Sequence, residues 1–244
     1  MSTRDPARTA SDPASDPASD PASDPSSDPP PAPRPAPPCG PPCGLPSDAV
    51  GTDPAPGRAL CDAAGLPPRW RGAAAWTVLD LDFADGDAFL AVRRRWRDDP
   101  QRPGRLHYAA LSATAPAADR LRERLARAGL ADPALLSRWP PALTGVHRIE
   151  SDDGRVRLTL AVGPPGAMLP GLLAAADTLL IAVGLGRPDL APAVIRAACA
   201  RLATGGCAAL VAGTDAAWDE TWRALRAAGF EPDREVRTTD TPTA

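Results

Sequence analysis

Lysine and asparagine are missing from this chain altogether, and several other residue types are scarce: two His, two Met, one Tyr and three Phe in 244 residues. Without lysine, no mechanism that needs a lysine nucleophile or Schiff base is available. Cysteine is sparse as well. Cys39, Cys43, Cys61, Cys199 and Cys207 are too few and too scattered for a disulfide framework. Cys39 and Cys43 lie in Pro-Pro-Cys-Gly-Pro-Pro-Cys-Gly, but two thiols do not complete a tetrahedral zinc site, and only His107 and His147 exist to help. Long apolar runs are also lacking. No apolar segment near Met1 has the form of a Sec-type signal. Leu169 to Gly186 is interrupted by Pro170 and Asp177, and a central Asp costs roughly 2.5–3.5 kcal/mol on insertion scales. These absences predict a soluble, cytoplasmic protein with no membrane partner.

What is plentiful is proline, 32 residues of it, concentrated at the front. Residues 11–30 repeat a four-residue unit, Ser-Asp-Pro-Ala three times and then Ser-Asp-Pro-Ser and Ser-Asp-Pro-Pro. Proline at every fourth position blocks helix interiors and sheet ladders alike, and the unit has little apolar surface to offset backbone ordering. Residues 29–46 continue as a Pro-rich segment that favours polyproline II and offers a docking site for a Pro-binding protein partner. Residues 1–58 are therefore expected to be a disordered tail, and 239–244 a disordered end. The tail carries four Arg against eight Asp; the remainder carries 23 Arg against 22 acids. A body so close to neutral gives no warrant, from bulk charge, for nucleic-acid binding.

From about residue 60 the pattern becomes globular. Thr77 to Leu81 reads as a short buried strand, and Phe89, Leu90, Val92 and Trp96 follow at helical spacing. Further strands are expected at Leu106–Leu111, Leu179–Val183 and Cys207–Ala212, the last after a turn at Gly205-Gly206. Val146–Glu150 and Arg155–Val162 form a hairpin around Ser151-Asp152-Asp153-Gly154. Helices are expected at Ala117–Gly129, Met168–Ala175, Ala191–Ala203 and Trp218–Ala228, with Gly129 and Gly229 suited to the C-termini. Alternating strands and helices predict an α/β fold, a mostly parallel sheet with helices on both faces.

The turn after the first strand sits where open α/β sheets place their ligands. It holds one glycine, Gly86, and four carboxylates, Asp80, Asp82, Asp85 and Asp87, which are weak candidates for a divalent ion. Arg93-Arg94-Arg95 and Arg97 are either an RNA-facing patch or cations that complement a helix C-terminus and solvate its outer face.

Several stretches together carry a family resemblance. They are Gly65-Leu66-Pro67-Pro68-Arg69-Trp70, the Trp76–Leu90 stretch, Trp96-Arg97-Asp98-Asp99-Pro100, Arg105-Leu106-His107-Tyr108 and Trp139-Pro140-Pro141. Gly145-Val146-His147-Arg148, Gly154–Leu160, Ala200–Ala203 and Ala227-Ala228-Gly229-Phe230 complete the set. In order and spacing they resemble the N-terminal methyltransferase domain of the bifunctional tRNA 5-methylaminomethyl-2-thiouridine enzyme (MnmC). The resemblance implies a Rossmann-like class I methyltransferase fold over residues 59–238, S-adenosylmethionine as cofactor and the wobble uridine of tRNA as substrate. The family's FAD-dependent oxidase domain is not expected, since the chain ends soon after Phe230.

The resemblance also implies a depleted site. The family's first-strand motif resembles E-T-G-F-G-x-G-L-N-F-L. Asp80 stands where its Glu would be, Gly86 keeps one glycine, and Asp82 and Ala84 occupy two other glycine positions. The ribose-binding acid falls at Ser112. A family Gly-Asp reads Gly163-Pro164, and the catalytic Asp falls near Ala182, leaving Asp189 as the surviving acid. Three readings follow. One is a pseudo-methyltransferase with weakened or lost cofactor binding, and the second is an active methyltransferase with an altered pocket. The third takes Asp80-Leu81-Asp82, which resembles the D-x-D of Mg²⁺-dependent phosphatases of the haloacid dehalogenase type. Ala84 and the lack of any Lys depart from that last pattern.

Overall fold

A computed structural model describes residues 55–172, 175–185 and 190–231. The Ser-Asp-Pro-Ala repeat, Cys39, Cys43, Asp189 and the 239–244 end lie outside the described residues.

One six-stranded sheet organises the molecule. Its strands are β1 (Ala75–Asp80), β2 (Arg105–Ser112), β3 (Gly145–Ser151), β4 (Val156–Val162), β5 (Ala176–Val183) and β6 (Leu202–Ala212). They stand in the order β3-β4-β2-β1-β5-β6. Every neighbouring pair is parallel except β3 and β4, the hairpin at one edge. The chain leaves β1 outward to β2 and β4, then returns to β5 on the other side of β1. That reversal is the topological switch point, and the C-terminal ends of β1 and β5 flank the crevice it opens. The parallel strands are nearly continuous apolar runs, as burial on both faces demands.

Helices cover both faces. On one, α1 (Ala55–Ala63), α2 (Asp87–Asp98) and α3 (Ala118–Arg127) pack Leu60, Phe89, Val92, Trp96, Leu121 and Leu125 against Val78, Leu106, Tyr108, Leu158 and Leu180. On the other, α6 (Pro192–Cys199) and α7 (Asp215–Ala227) pack Ile195, Trp218 and Leu225 against Leu79, Leu179, Ile181 and Leu210. Two short helices complete the set, α4 (Pro133–Ser137) and α5 (Pro165–Met168). The cap of α4 is Asp132, whose carboxylate accepts from the Leu135 N–H at 2.9 Å; Thr214 does the same for α7 with Ala217 at 3.2 Å. The first helix starts at Ala55, ahead of the domain start expected at residue 59. It is seated closely: a Cβ on Gly57 would lie 2.5 Å from the Asp87 carbonyl oxygen.

Two expected elements differ. Over the described part of the helix expected at Met168–Ala175, a one-turn α5 ends at Met168 and a 3₁₀ turn spans Leu169–Gly171, and residues 173–174 lie outside the described residues. Pro170 has no N–H to continue a helix and Gly171 disfavours one. The helix expected over Ala191–Ala203 closes at Cys199, and β6 begins at Leu202 and runs through Gly205-Gly206. The turn expected there is instead an irregularity in the pairing with β5, between Ala176 and Thr178.

Candidate functional site at the carboxyl edge of the sheet

The loop from β1 to α2 is held by its own backbone. The Leu81 N–H donates to Leu180 at 3.1 Å, Phe83 N–H to Leu111 at 2.7 Å, and Gly86 N–H back to Phe83 at 2.7 Å. Phe83 anchors it further, its ring centroid 6.1 Å from Phe89 and 5.9 Å from Trp139. Two residues take the left-handed backbone this path needs, Ala84 at φ 45° and Gly86 at φ 84°. Gly86 does so freely as the N-cap of α2. Ala84 does so under strain that a glycine would not feel.

Asp80 closes β1 and is 1% exposed. Its carboxylate accepts from the Tyr108 hydroxyl at 2.7 Å and from the Asp82 N–H at 3.1 Å. Asp82 follows it and is also buried. Asp85 and Asp87 turn away from this pair. Both meet the Arg124 guanidinium of α3, Asp85 at 3.0 Å and Asp87 in a shorter bond, and Arg120 approaches Asp85 at 3.7 Å. The Asp80 carboxylate and those of Asp85 and Asp87 thus have different partners. Among the described residues, no group of three or more His, Cys, Asp or Glu is placed to hold a metal ion. The first Asp of the phosphatase-like D-x-D, Asp80, is the residue buried against Tyr108.

The other sequence candidates sit at the neighbouring strand ends. Ser112 ends β2 and is buried, and its hydroxyl donates to the Thr114 carbonyl at 2.7 Å. Gly163 follows β4, its N–H donating to Ser112 at 2.9 Å, and Pro164 is the N-cap of α5. Ala182 is a core residue of β5, 1% exposed. Asp80, Asp82, Ala84, Gly86, Ser112, Gly163 and Pro164 therefore gather along one edge of the sheet, at the ends of β1, β2 and β4.

The Arg93–Arg97 run is no open RNA patch. Arg93 is fully buried on α2, its Nε 2.7 Å from Asp152 and its Nη2 in a short bond to Asp132. Arg95 reaches Asp62 at 2.7 Å and the Leu66 carbonyl at 2.9 Å, and Arg97 also bonds Asp152. Burial pushes the Asp152 carboxyl up, but the hydrogen bonds and charges of Arg93 and Arg97 outweigh it and hold it below the usual carboxylate range. His147 Nε2 lies 3.0 Å from the Leu143 carbonyl oxygen. His107 lies on the sheet, where burial first, then Arg157 and Arg105, lower its pKa.

Sequence reasoning missed Tyr108 and Arg124. Tyr108 is the only tyrosine in the chain, and it falls at an inward position of an apolar strand. A buried Asp needs a donor, and the register placing Val78 beside Tyr108 supplies one from the next strand.

Strand order, switch point and the loop geometry define a doubly wound Rossmann-like fold of the class I methyltransferase type. Within that class, the chain resembles the methyltransferase domain of MnmC. It is 36% identical over 195 residues to the tRNA 5-methylaminomethyl-2-thiouridine biosynthesis bifunctional protein MnmC of Burkholderia ambifaria strain MC40-6, covering 76% of this chain and 29% of the relative. The protein of the same name from Burkholderia vietnamiensis is 43% identical over 122 residues, 48% of this chain and 19% of the relative. The chain thus spans less than a third of the length of these curated relatives. Among solved structures, MnmC2 from Aquifex aeolicus aligns with a TM-score of 0.49 and 15% identity, over 71% of this chain and 53% of that one. No family model matches the chain. No helix among the described residues is long and apolar enough to cross a membrane.

Proposed function

We propose that this protein is a pseudo-methyltransferase of the tRNA wobble-uridine type, a cytoplasmic scaffold whose S-adenosylmethionine site is weakened or lost. One observation carries the reading. Ser112 stands at the end of β2, where the resemblance calls for a carboxylate on the ribose diol, and its hydroxyl is spent on the Thr114 carbonyl. The rest of the donor set agrees. Pro164 has neither a side-chain acceptor nor an N–H, Ala182 has no functional group, and Asp80 is turned inward to Tyr108. These residues do not fit the cofactor, so no methyl-transfer step is assigned to them. Hydrogen bonds to charged groups are worth about 1.5–3 kcal/mol each. Losing two weakens binding by roughly two to four orders of magnitude, at about 1.4 kcal/mol per decade.

Calorimetry with S-adenosylmethionine is expected to give no saturable heat at micromolar concentrations. A methyl-transfer assay on tRNA bearing 5-aminomethyl-2-thiouridine is expected to give no product. Micromolar affinity with turnover that disappears in Asp80→Asn overturns the reading.

One observation favours an active enzyme with an altered pocket instead. Ala84 and Gly86 both keep positive φ, so the loop holds a glycine-loop path despite its changed residues. The same assays separate the two. In either case, tRNA is the nucleic-acid partner, and the Pro-rich segment 29–46 is a site for a protein partner.

A further inference from the structure

The faces of a parallel sheet are ordinarily both covered. Here the described part of the β4–β5 crossover carries the one-turn α5 and the 3₁₀ turn at Leu169–Gly171, and α6 and α7 pack over β1, β5 and β6. Among the described residues, the amino-terminal half of that face over β2, β4 and β3 carries exposed or half-buried side chains, while Ala109, Leu111 and Ala161 toward the carboxyl ends are buried with Leu169 and Leu172. Cross-strand register sets what it displays: Arg148 beside Thr159, Glu150 beside Arg157, and Arg157 beside His107. Arg105, two residues before His107, points the same way. Arg105, Arg148 and Arg157 are exposed, and Glu150 is the one acid among them, 3.0 Å from Arg157. Arg105 and Arg148 have no ion pair among the described residues. His107 lies beside them, and its pKa is lowered by burial first and then by Arg157 and Arg105.

We propose that this exposed part of the sheet face is an RNA-docking surface that grips the phosphodiester backbone through Arg105, Arg148 and Arg157. The proposal rests on the tRNA-family reading above and adds to it the place where the RNA lies. The exposed part of the face is polar and charged, whereas the centre of a protein–protein interface is depleted of charge. A surplus of guanidinium groups on one face is the electrostatic footprint of a polyanion partner. Arginine also matches phosphate geometry by bidentate bonding. The strands point toward the candidate site. Val146, on the same face at the start of β3, pairs with Ala161 near the end of β4, close to Gly163-Pro164. Val146 and the nearby Leu143 are the large apolar side chains left exposed among the described residues, 46% and 60%. A strand of RNA following β3 from Arg148 past the exposed Val146 reaches the carboxyl end of β4.

The test is filter binding of the full chain to a transcribed tRNA across a salt series, with the variant Arg105→Ala/Arg148→Ala/Arg157→Ala. These exposed positions leave the core untouched. The control is Arg196→Ala/Arg223→Ala, exposed on α6 and α7. Binding at low salt is expected, with at least a tenfold loss in the triple variant and none in the control. The slope of log affinity against log salt should flatten by about two, since each phosphate contact contributes roughly 0.7–0.9. No RNA binding, or equal affinity in the triple variant, overturns the proposal. So does a dimer in sedimentation that the triple variant dissolves, which makes the face a contact between copies. Cofactor calorimetry on the same samples reports separately on the pseudoenzyme reading, so the two fail independently.

Discussion

The Tyr108 hydroxyl donates to the Asp80 carboxylate over 2.7 Å, and neither side chain is more than 1% exposed. Two adjacent parallel strands are joined there by side chains as well as by their backbone ladder. In a low-dielectric interior a satisfied carboxylate stabilises and an unsatisfied one costs heavily. Tyr108→Phe keeps the ring packing against Phe89, whose centroid is 5.2 Å away, and removes only the donor. It should lower stability by about 1–3 kcal/mol in urea unfolding. A double-mutant cycle with Asp80→Asn should recover a coupling of about 1 kcal/mol or more. A cycle that is additive shows the bond to be idle.

Arg93 is a buried cation between two acids, with Asp132 and Asp152 side chains 11% and 10% exposed. Removing one partner of such an arrangement is far more damaging than its net worth suggests, because the remaining charges stay buried. Arg93→Met should cost about 3–5 kcal/mol. Arg94→Met, at a partly exposed i,i+4 pair with Asp98, should change unfolding by less than about 0.5 kcal/mol.

Acid should act through the same network. Asp152 titrates lower in the folded chain than in the unfolded one, so the unfolded state takes up protons first. Its contribution is complete above about pH 4 and is lost as pH falls through the folded value. Asp99 follows the same course: burial raises its pKa, but bonds from Trp70 at 2.8 Å and the Gln101 N–H at 2.9 Å, with Arg71, bring it lower. Melting temperature should therefore fall steeply below pH 4, and the slope should be shallower in Asp152→Asn. An unchanged slope rules Asp152 out as a source of the acid sensitivity.

Ala84→Gly removes the cost of a left-handed alanine, about 1–2 kcal/mol, and adds unfolded-state entropy that takes back about 0.5–1 kcal/mol. A net gain between zero and about 1.5 kcal/mol is expected, readable as a rise in melting temperature. Destabilisation shows that the Ala84 methyl makes contacts that outweigh its backbone strain.

Periodicity makes much of the fold legible in the sequence. The strand around Val78, the helix carrying Phe89 and Trp96, and the hairpin about Asp152-Asp153-Gly154 all have patterns that only one local structure satisfies. Where two local structures shared a signal, the sequence misled. Gly205-Gly206 has the form of a turn, yet it continues β6, with Arg69 donating to the Gly205 carbonyl at 3.0 Å. Met168–Ala175 looked helical because its apolar residues concealed the block at Pro170. At the candidate site, positions were legible and partners were not. The four Asp fall within eight residues of sequence. What separates Asp80 from Asp85 and Asp87 is Tyr108 on one side and Arg124 on the other, 28 and 37–39 residues downstream. No short-range pattern carries that information.

Arg93 holds the α4 cap and the β3–β4 turn from a single point on α2. An edge hairpin ordinarily frays by itself, with amides that exchange far faster than those of the core. Here the turn cannot lift away without stripping a guanidinium of its counter-ions inside α2's packing. The antiparallel edge and the parallel sheet are thereby merged into one cooperative foldon. Amide protons of β4 beside Leu158 should exchange only through openings close to global unfolding, and an RNA resting on that edge would lie on a rigid platform.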